Sequence, residues 1–529
     1  MQDILIKNVR VIDGTGAPWF HGEVFVKDGK IAVVAKKVEA TASRVIDGQG
    51  LVLAPGFIDS HSHSDTNWFL DPRGESKIRQ GVTTEVTGQC GESGAPKRLD
   101  DQDAGQTEAA QGDAKMPTWS SFDEYLTALS RNGVGVNLAT LVGHGTVRIA
   151  GMGYDDRRPT PDEMARMKEY MKEAMEAGAF GFSSGLIYPP SAYASTDELV
   201  ELAKVVASYG GIYATHMRNE ELALLQSVNE AIEIGHRAGI PVHISHHKAC
   251  DKRAWGQVKQ SLAMIDEARR HGVDVTADQY PYVATATGLS AIIPSWAHDG
   301  GPKALLARLK DPEVGAALKS KVELDQGDDG WYRLMITDVK SEKNKACEGK
   351  RMTEIAAMWG IPPVEAAWRL LCEEELEVGY VRFAMCEDDV KTVMKHPCVM
   401  IGSDASARAI DGPLSTGSPH PRAFGTFPRV LGKYCREEGL FPLETAVYKM
   451  TGLPAWRLGL WDRGLVRPGM AADLVLFDPD KVIDTATFEN PKQYPVGIEC
   501  VIVNGEVVIE NGQHTGAIAG KVLRRGRSE

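Results

Sequence analysis

Eight short runs of apolar and β-branched residues recur between residues 56 and 405, most of them closing on polar residues and each separated from the next by intervening chain, in places clearly helical. In order they are "GFIDSHSHSD", "GVTTEVTGQC", "VGVNLATLVGH", "AFGFSSGLIY", "GGIYATHMRN", "IPVHISHHK", "VDVTADQYPY" and "PCVMIGSDA". Near-continuous apolar strands that alternate with helices belong to a parallel sheet covered on both faces. Eight of them predict an α/β fold of the (β/α)8 TIM-barrel type. One helix is punctuated clearly: in "PTPDEMARMKEYMKEAMEAGAFG", Thr160 with Glu163 forms a capping-box pattern, Pro161 suits the first helical position and Gly178 the stop. Met164, Met167, Met171 and Met175 recur at helical spacing and predict core packing rather than a methionine surface.

The chain ends alternate with period two instead. "ILIKNVRVIDG", "GEVFVKDGKIAVV" and "RVIDGQGLVLAPG" at the start, and "AADLVLFDPDKV" and "GIECVIVNGEVVIENGQH" near the finish, predict short antiparallel strands, with Asn504-Gly505 as a hairpin turn. Both ends are expected to meet in one small β-sandwich domain, residues 1–54 with 465–529, around a barrel spanning 55–464. A stretch at about 288–350, with "LSAIIPSWAHDGG" and "DQGDDGWYRLMITDV", fits no βα unit and reads as a mid-chain lid insertion over the barrel mouth. The basic tail "KVLRRGRSE" reads as solvated.

Composition narrows the function. A net charge of -13 over 529 residues argues against nonspecific nucleic-acid or anionic-membrane binding. The start "MQDILIKNVRVIDG" has no secretory pattern, and no run approaches the ~20 apolar residues of a membrane helix, so a cytoplasmic location is expected. The cysteines, at 90, 250, 347, 372, 386, 398, 435 and 500, have no framework spacing and are expected to stay reduced. That leaves Cys90, in "VTGQCGES", as a buried apolar filler, a nucleophile or a metal ligand.

Barrel active sites lie at the C-terminal ends of the strands. His61 and His63 end the first strand two residues apart, on one side of it. His216 ends the fifth strand, His246 lies in the sixth and Asp404 ends the eighth. Four histidines and an aspartate converging on one mouth predict a divalent-metal site, with zinc favoured by the imidazole-rich set. Parity places His243 and His247 away from the barrel axis, as supporting or helix-facing groups. His144 is inward by position, a second-rank contact.

The HxH of the first strand, the single histidines of the fifth and sixth and the aspartate of the eighth resemble the amidohydrolase superfamily. Binuclear members bridge two metals with a carboxylated lysine from the fourth strand, but here that strand reads "GFSSGLIYPP". "GQCGES" with "THMRNE", "ISHHK", "SDA" and "HPRAFGTFPRVLG" is similar to the D-aminoacylase (N-acyl-D-amino-acid deacylase) family, over essentially the whole chain. The resemblance implies that Cys90, His216 and His246 hold a tightly bound zinc. His61 and His63 would form a weaker second site, and Gly88 and Gly91 would let the backbone bring the Cys90 sulfur close.

The implied reaction is amide hydrolysis. Zinc polarises the carbonyl and acidifies a water toward pKa ~7, and Asp404 takes the proton and returns it to the leaving nitrogen. An N-acyl amino acid also presents an α-carboxylate that needs a cation. Lys248, two residues after His246, and Arg422 are assigned to it by the resemblance, with Tyr282 (Tyr280 as the lesser choice) and Tyr188. The insertion offers Trp296 and no arginine in "IIPSWAHDGG", which predicts an apolar or broad side-chain preference. The alternatives are an N-acyl-D-glutamate or aspartate deacylase, a cyclic-amide hydrolase of hydantoinase or dihydroorotase type, a nucleobase deaminase and a non-catalytic homologue. The expected partner is the small-molecule substrate. A homo-oligomer stays open.

Overall fold

The computed structural model describes residues 2–97 and 116–526. The barrel strands are, in order, Phe57–Asp59, Val82–Thr87, Asn137–Thr140 continued by Val142–Gly143, Gly181–Gly185, Ile212–His216, Val242–Ile244, Val275–Gln279 and Val399–Ile401. All neighbouring pairs recorded between these strands are parallel. The ring closes where Ser60 Oγ donates to Ile401 O (2.9 Å) and Ser62 bridges Ala405 in parallel. Each of the eight strands falls inside one of the eight runs read from the sequence.

The helix Pro161–Ala177 has the capping box at Thr160 and Glu163 and ends on left-handed Gly178. Met167, Met171 and Met175 are buried in the barrel's outer core and Met164 packs against it. The two chain ends meet in one nine-stranded sheet, where Val52–Pro55 runs antiparallel to Leu474–Phe477. Ile4, Ile6, Val24, Val26, Leu474, Leu476 and Ile502 share its core, which binds residues from both termini into one domain.

Two expectations about boundaries change. The insertion begins at Thr285, where Thr285 pairs with Arg382, and so runs past 350 to the strand Val378–Arg382. It carries its own three-stranded antiparallel sheet and its own core around Leu289, Leu334, Ile355 and Leu371. The helices Met352–Trp359 and Pro363–Glu373 pack on that core, although their amphipathic pattern looks like any barrel helix. The tail, expected to be solvated, returns to the barrel instead. Val522 bridges Leu138 of the third strand, Leu523 N donates to Leu138 O (2.8 Å), and both side chains are buried. Backbone pairing and two apolar residues outweigh the basic composition as far as Gly526.

Candidate active site

Cys90 follows the second strand in a loop that needs glycine at 88 and 91. Cys90 itself has φ +53°, and Gly88 and Gly91 have φ +73° and +81°. A Cβ at residue 88 would stand 1.9 Å from Leu141 O. Gly91 N donates to Ser183 Oγ (2.9 Å), which in turn donates to Gly88 O, so the fourth strand pins the loop. The sulfur then lies 3.4 Å from His61 Nε2, 3.4 Å from His246 Nε2 and 3.7 Å from His216 Nδ1.

Donor atoms of Cys90, His216 and His246 form one group, and those of His61, His63, Cys90 and Asp404 a second. Within each group all atoms lie within 4.8 Å of one another, and Cys90 belongs to both. Imidazole and thiol donors in that number suit zinc. Burial pushes the Cys90 thiol well above its ordinary range, so its thiolate needs a cation beside it, and coordination supplies one. Cys90, His246 (φ +36°) and Asp404 (φ +52°) all hold left-handed backbone. For side-chain-bearing residues that conformation is costly and gathers at functional sites.

Two carboxylates absent from the sequence reading stand behind these donors. Glu220 Oε1 accepts from Lys248 Nζ (2.8 Å) and lies 3.0 Å from His246 Nδ1, while Oε2 lies 3.6 Å from His216 Nε2. Against the pull of burial, Lys248 and the two histidines hold its carboxyl far below the usual range. Asp278 Oδ2 lies 2.7 Å from His243 Nε2 and 3.3 Å from His61 Nδ1, and Oδ1 accepts from His246 N (2.8 Å). His243 therefore faces the barrel interior, against the parity argument. The sixth strand ends at Ile244, so alternation counted back from His246 does not reach His243. His247 does face a helix, 2.8 Å from Ser261 Oγ. His144 joins Ser191 and Glu198 in a separate buried network.

The remaining site residues gather on the same mouth with one exception. Asp404 Oδ1 lies 3.1 Å from His63 Nε2, and its Oδ2 lies 2.8 Å from Arg422 Nη1. That contact is off the hydrogen-bond axis, so Arg422 keeps unspent N–H capacity in a buried position. Tyr280 stands between the cations, its ring centre 4.6 Å from the Arg422 guanidinium and 5.6 Å from Lys248 Nζ. Tyr282 does not join them. The seventh strand stops at Gln279, and the Tyr282 hydroxyl turns toward Asp484 Oδ2 (3.4 Å) under Arg429. Tyr188 packs edge-on against His216, ring centres 4.9 Å apart, and its hydroxyl meets Thr287 of the insertion at 3.0 Å.

Residues 44–509 match the amidohydrolase family. The chain belongs to that family. A D-aminoacylase of Alcaligenes xylosoxydans xylosoxydans is 39% identical over 99% of this chain and 98% of its own. An N-acyl-D-glutamate deacylase from Bordetella bronchiseptica, solved with zinc and a phosphonate mimic of the tetrahedral intermediate, superposes with a TM-score of 0.84 at 37% identity, covering 99% of each chain. A D-aminoacylase structure described for one-metal activation and second-metal attenuation of its binuclear centre superposes at 0.82 with 38% identity, covering 99% of this chain and 100% of that one. Within the amidohydrolases, the chain belongs with the D-aminoacylases. Among the described residues, no helix is long and apolar enough to cross a membrane.

Proposed function

We propose that this amidohydrolase cleaves the amide bond of N-acyl-D-amino acids, releasing a D-amino acid and a carboxylate, with one tightly held zinc. The observation that carries the reading is the sharing of the Cys90 sulfur between two donor groups, one of which contains Asp404 paired with Arg422. Cys90, His216 and His246 would hold the zinc, and His61 and His63 a weaker second ion. When bound, zinc supplies Lewis-acid polarisation of the amide carbonyl and a more acidic water, near pKa ~7.

The chain's own groups do the rest. Asp404 accepts the proton of the attacking water and delivers it to the leaving nitrogen, one carboxylate serving first as base and then as acid. Arg422 receives the substrate α-carboxylate with its unspent N–H groups, Lys248 adds charge from the other side of Tyr280, and Tyr188 closes the wall toward the insertion. Tyr280 takes the place that the sequence reading gave Tyr282. The D-configuration rests on the relatives.

A preference for apolar or varied side chains is supported by two arginines of the insertion, which are already engaged. Arg308 bonds the carbonyls of Ala297 and Asp299, and Arg382 pairs with Glu221. The test is a panel of N-acyl-D- and N-acyl-L-amino acids, with hydantoin included, run on protein whose zinc is counted. Hydrolysis of D-isomers with N-acetyl-D-methionine among the good substrates is expected. A much higher kcat/KM for N-acetyl-D-glutamate would overturn the side-chain preference, and no D-isomer turnover at stoichiometric zinc would overturn the reaction.

A further inference from the structure

Lys77 sits on the short helix Glu75–Ile78 between the first two strands and has no exposed surface. Its ammonium donates to Asp59 Oδ2 (2.7 Å), Ala405 O (2.7 Å), Ser403 Oγ (2.9 Å) and Ser62 Oγ (3.1 Å), and lies 3.4 Å from Glu85 Oε2. With three N–H bonds for four acceptors, the longest contact is shared. These acceptors bracket the proposed chemistry. Ser403 and Ala405 flank Asp404, and Ser62 lies between His61 and His63.

Asp59 completes the bracket. Its Oδ1 accepts from Ser403 N (2.7 Å) and its Oδ2 from Ser403 Oγ (2.6 Å). Asp404 N donates to His61 O (2.8 Å), and Ala405 N to Ser403 Oγ (3.3 Å). The left-handed backbone of Asp404 (φ +52°) is therefore fixed on both sides by one buried cluster, as a strained residue needs in order to persist. The same segment also reaches the helix Arg422–Arg429 and the loop before it. Gln80 Nε2 donates to Ala423 O (3.0 Å), Gln80 Oε1 accepts from Phe427 N (3.3 Å), and Ser76 Oγ accepts from Arg408 N (2.9 Å).

Stability alone gives little reason for burying such a lysine, since a buried ion pair is often no better than an apolar replacement of the same size. We propose that Lys77 is a positioning residue for Asp404. It acts through the Ala405 carbonyl and the Ser403 hydroxyl and touches neither substrate nor donor atoms. The proposal rests on the reading of Asp404 as the proton-transfer group.

The experiment compares Lys77→Met, Ser403→Ala, the double variant Asp59→Asn/Lys77→Met and Asp404→Asn, on whichever of N-acetyl-D-methionine and N-acetyl-D-glutamate the parent turns over faster. Lys77→Met is expected to keep its zinc and its KM while kcat falls about 10²-fold, the scale of a misplacement near 1 Å. Ser403→Ala should show a smaller loss of the same kind. The double variant, free of the unpaired Asp59 charge, should regain thermal stability but not kcat. A folded, zinc-replete Lys77→Met with the parent's kcat would overturn the proposal. So would recovery of kcat together with stability in the double variant or, if Lys77→Met does not fold, a Ser403→Ala enzyme at the parent's rate. Undiminished turnover in Asp404→Asn would instead remove the reading of Asp404 on which the proposal stands.

Discussion

The two donor groups that meet at Cys90 are built differently. Cys90, His216 and His246 are all buried, and burial holds both imidazoles below their ordinary range and the thiol above it, which favours the neutral form of each. One carboxylate, Glu220, reaches the outer nitrogens of both histidines. The other group includes the Asp404 carboxylate and the His63 side chain, 28% exposed, and Asp404 is drawn toward Arg422. A closed, pre-oriented set of neutral donors suits holding an ion permanently. An open set with a carboxylate tied to a cation suits moving protons and admitting substrate. On the proposed reading the first group keeps the zinc and the second does the work around it.

Substitution can break that contrast in graded steps. Replacing Cys90 by alanine removes the shared ligand, so zinc per chain should fall below stoichiometric after dialysis and turnover should vanish; intact zinc content would sink the ligand assignment. Asp404→Asn should separate the groups cleanly, with zinc retained by elemental analysis and kcat lowered about 10²–10⁴-fold. Glu220→Gln keeps the shape but weakens the support behind His216 and His246. Zinc affinity, read by chelator competition, should drop about 10–100-fold, with little change in Tm. His63→Gln should do least, weakening uptake of a second ion in titration and, through the lost contact with Asp404, lowering the one-zinc rate far less than Asp404→Asn does.

What the sequence revealed and concealed follows the same division between local and distant causes. Strand runs such as "VDVTADQYPY" and the caps at Thr160 and Gly178 are local signals, and the structure places elements there. His61, His216, His246 and Asp404 were legible because barrel strands end at one mouth. Cys90 needed the family resemblance, since its role depends on residues more than a hundred positions away. Glu220, Asp278 and Lys77 escaped because nothing near them in the chain marks a carboxylate or ammonium turned inward. Glu220 lies inside "THMRNE", which carries the resemblance, and Asp278 inside "VDVTADQYPY", which marks a strand. Parity misled at His243 because it counted past the end of a short strand, and Tyr282, taken from the resemblance, lies beyond the end of the seventh strand at Gln279. The insertion's far limit hid behind helices whose amphipathic pattern does not say which core they face.

The contrast between the groups is tested most directly by adding zinc back to metal-free protein while following hydrolysis of an N-acyl-D-amino acid. The rate is expected to climb to its maximum at one zinc per chain and to gain nothing from a second. A rate that rises only as the second equivalent binds would contradict it.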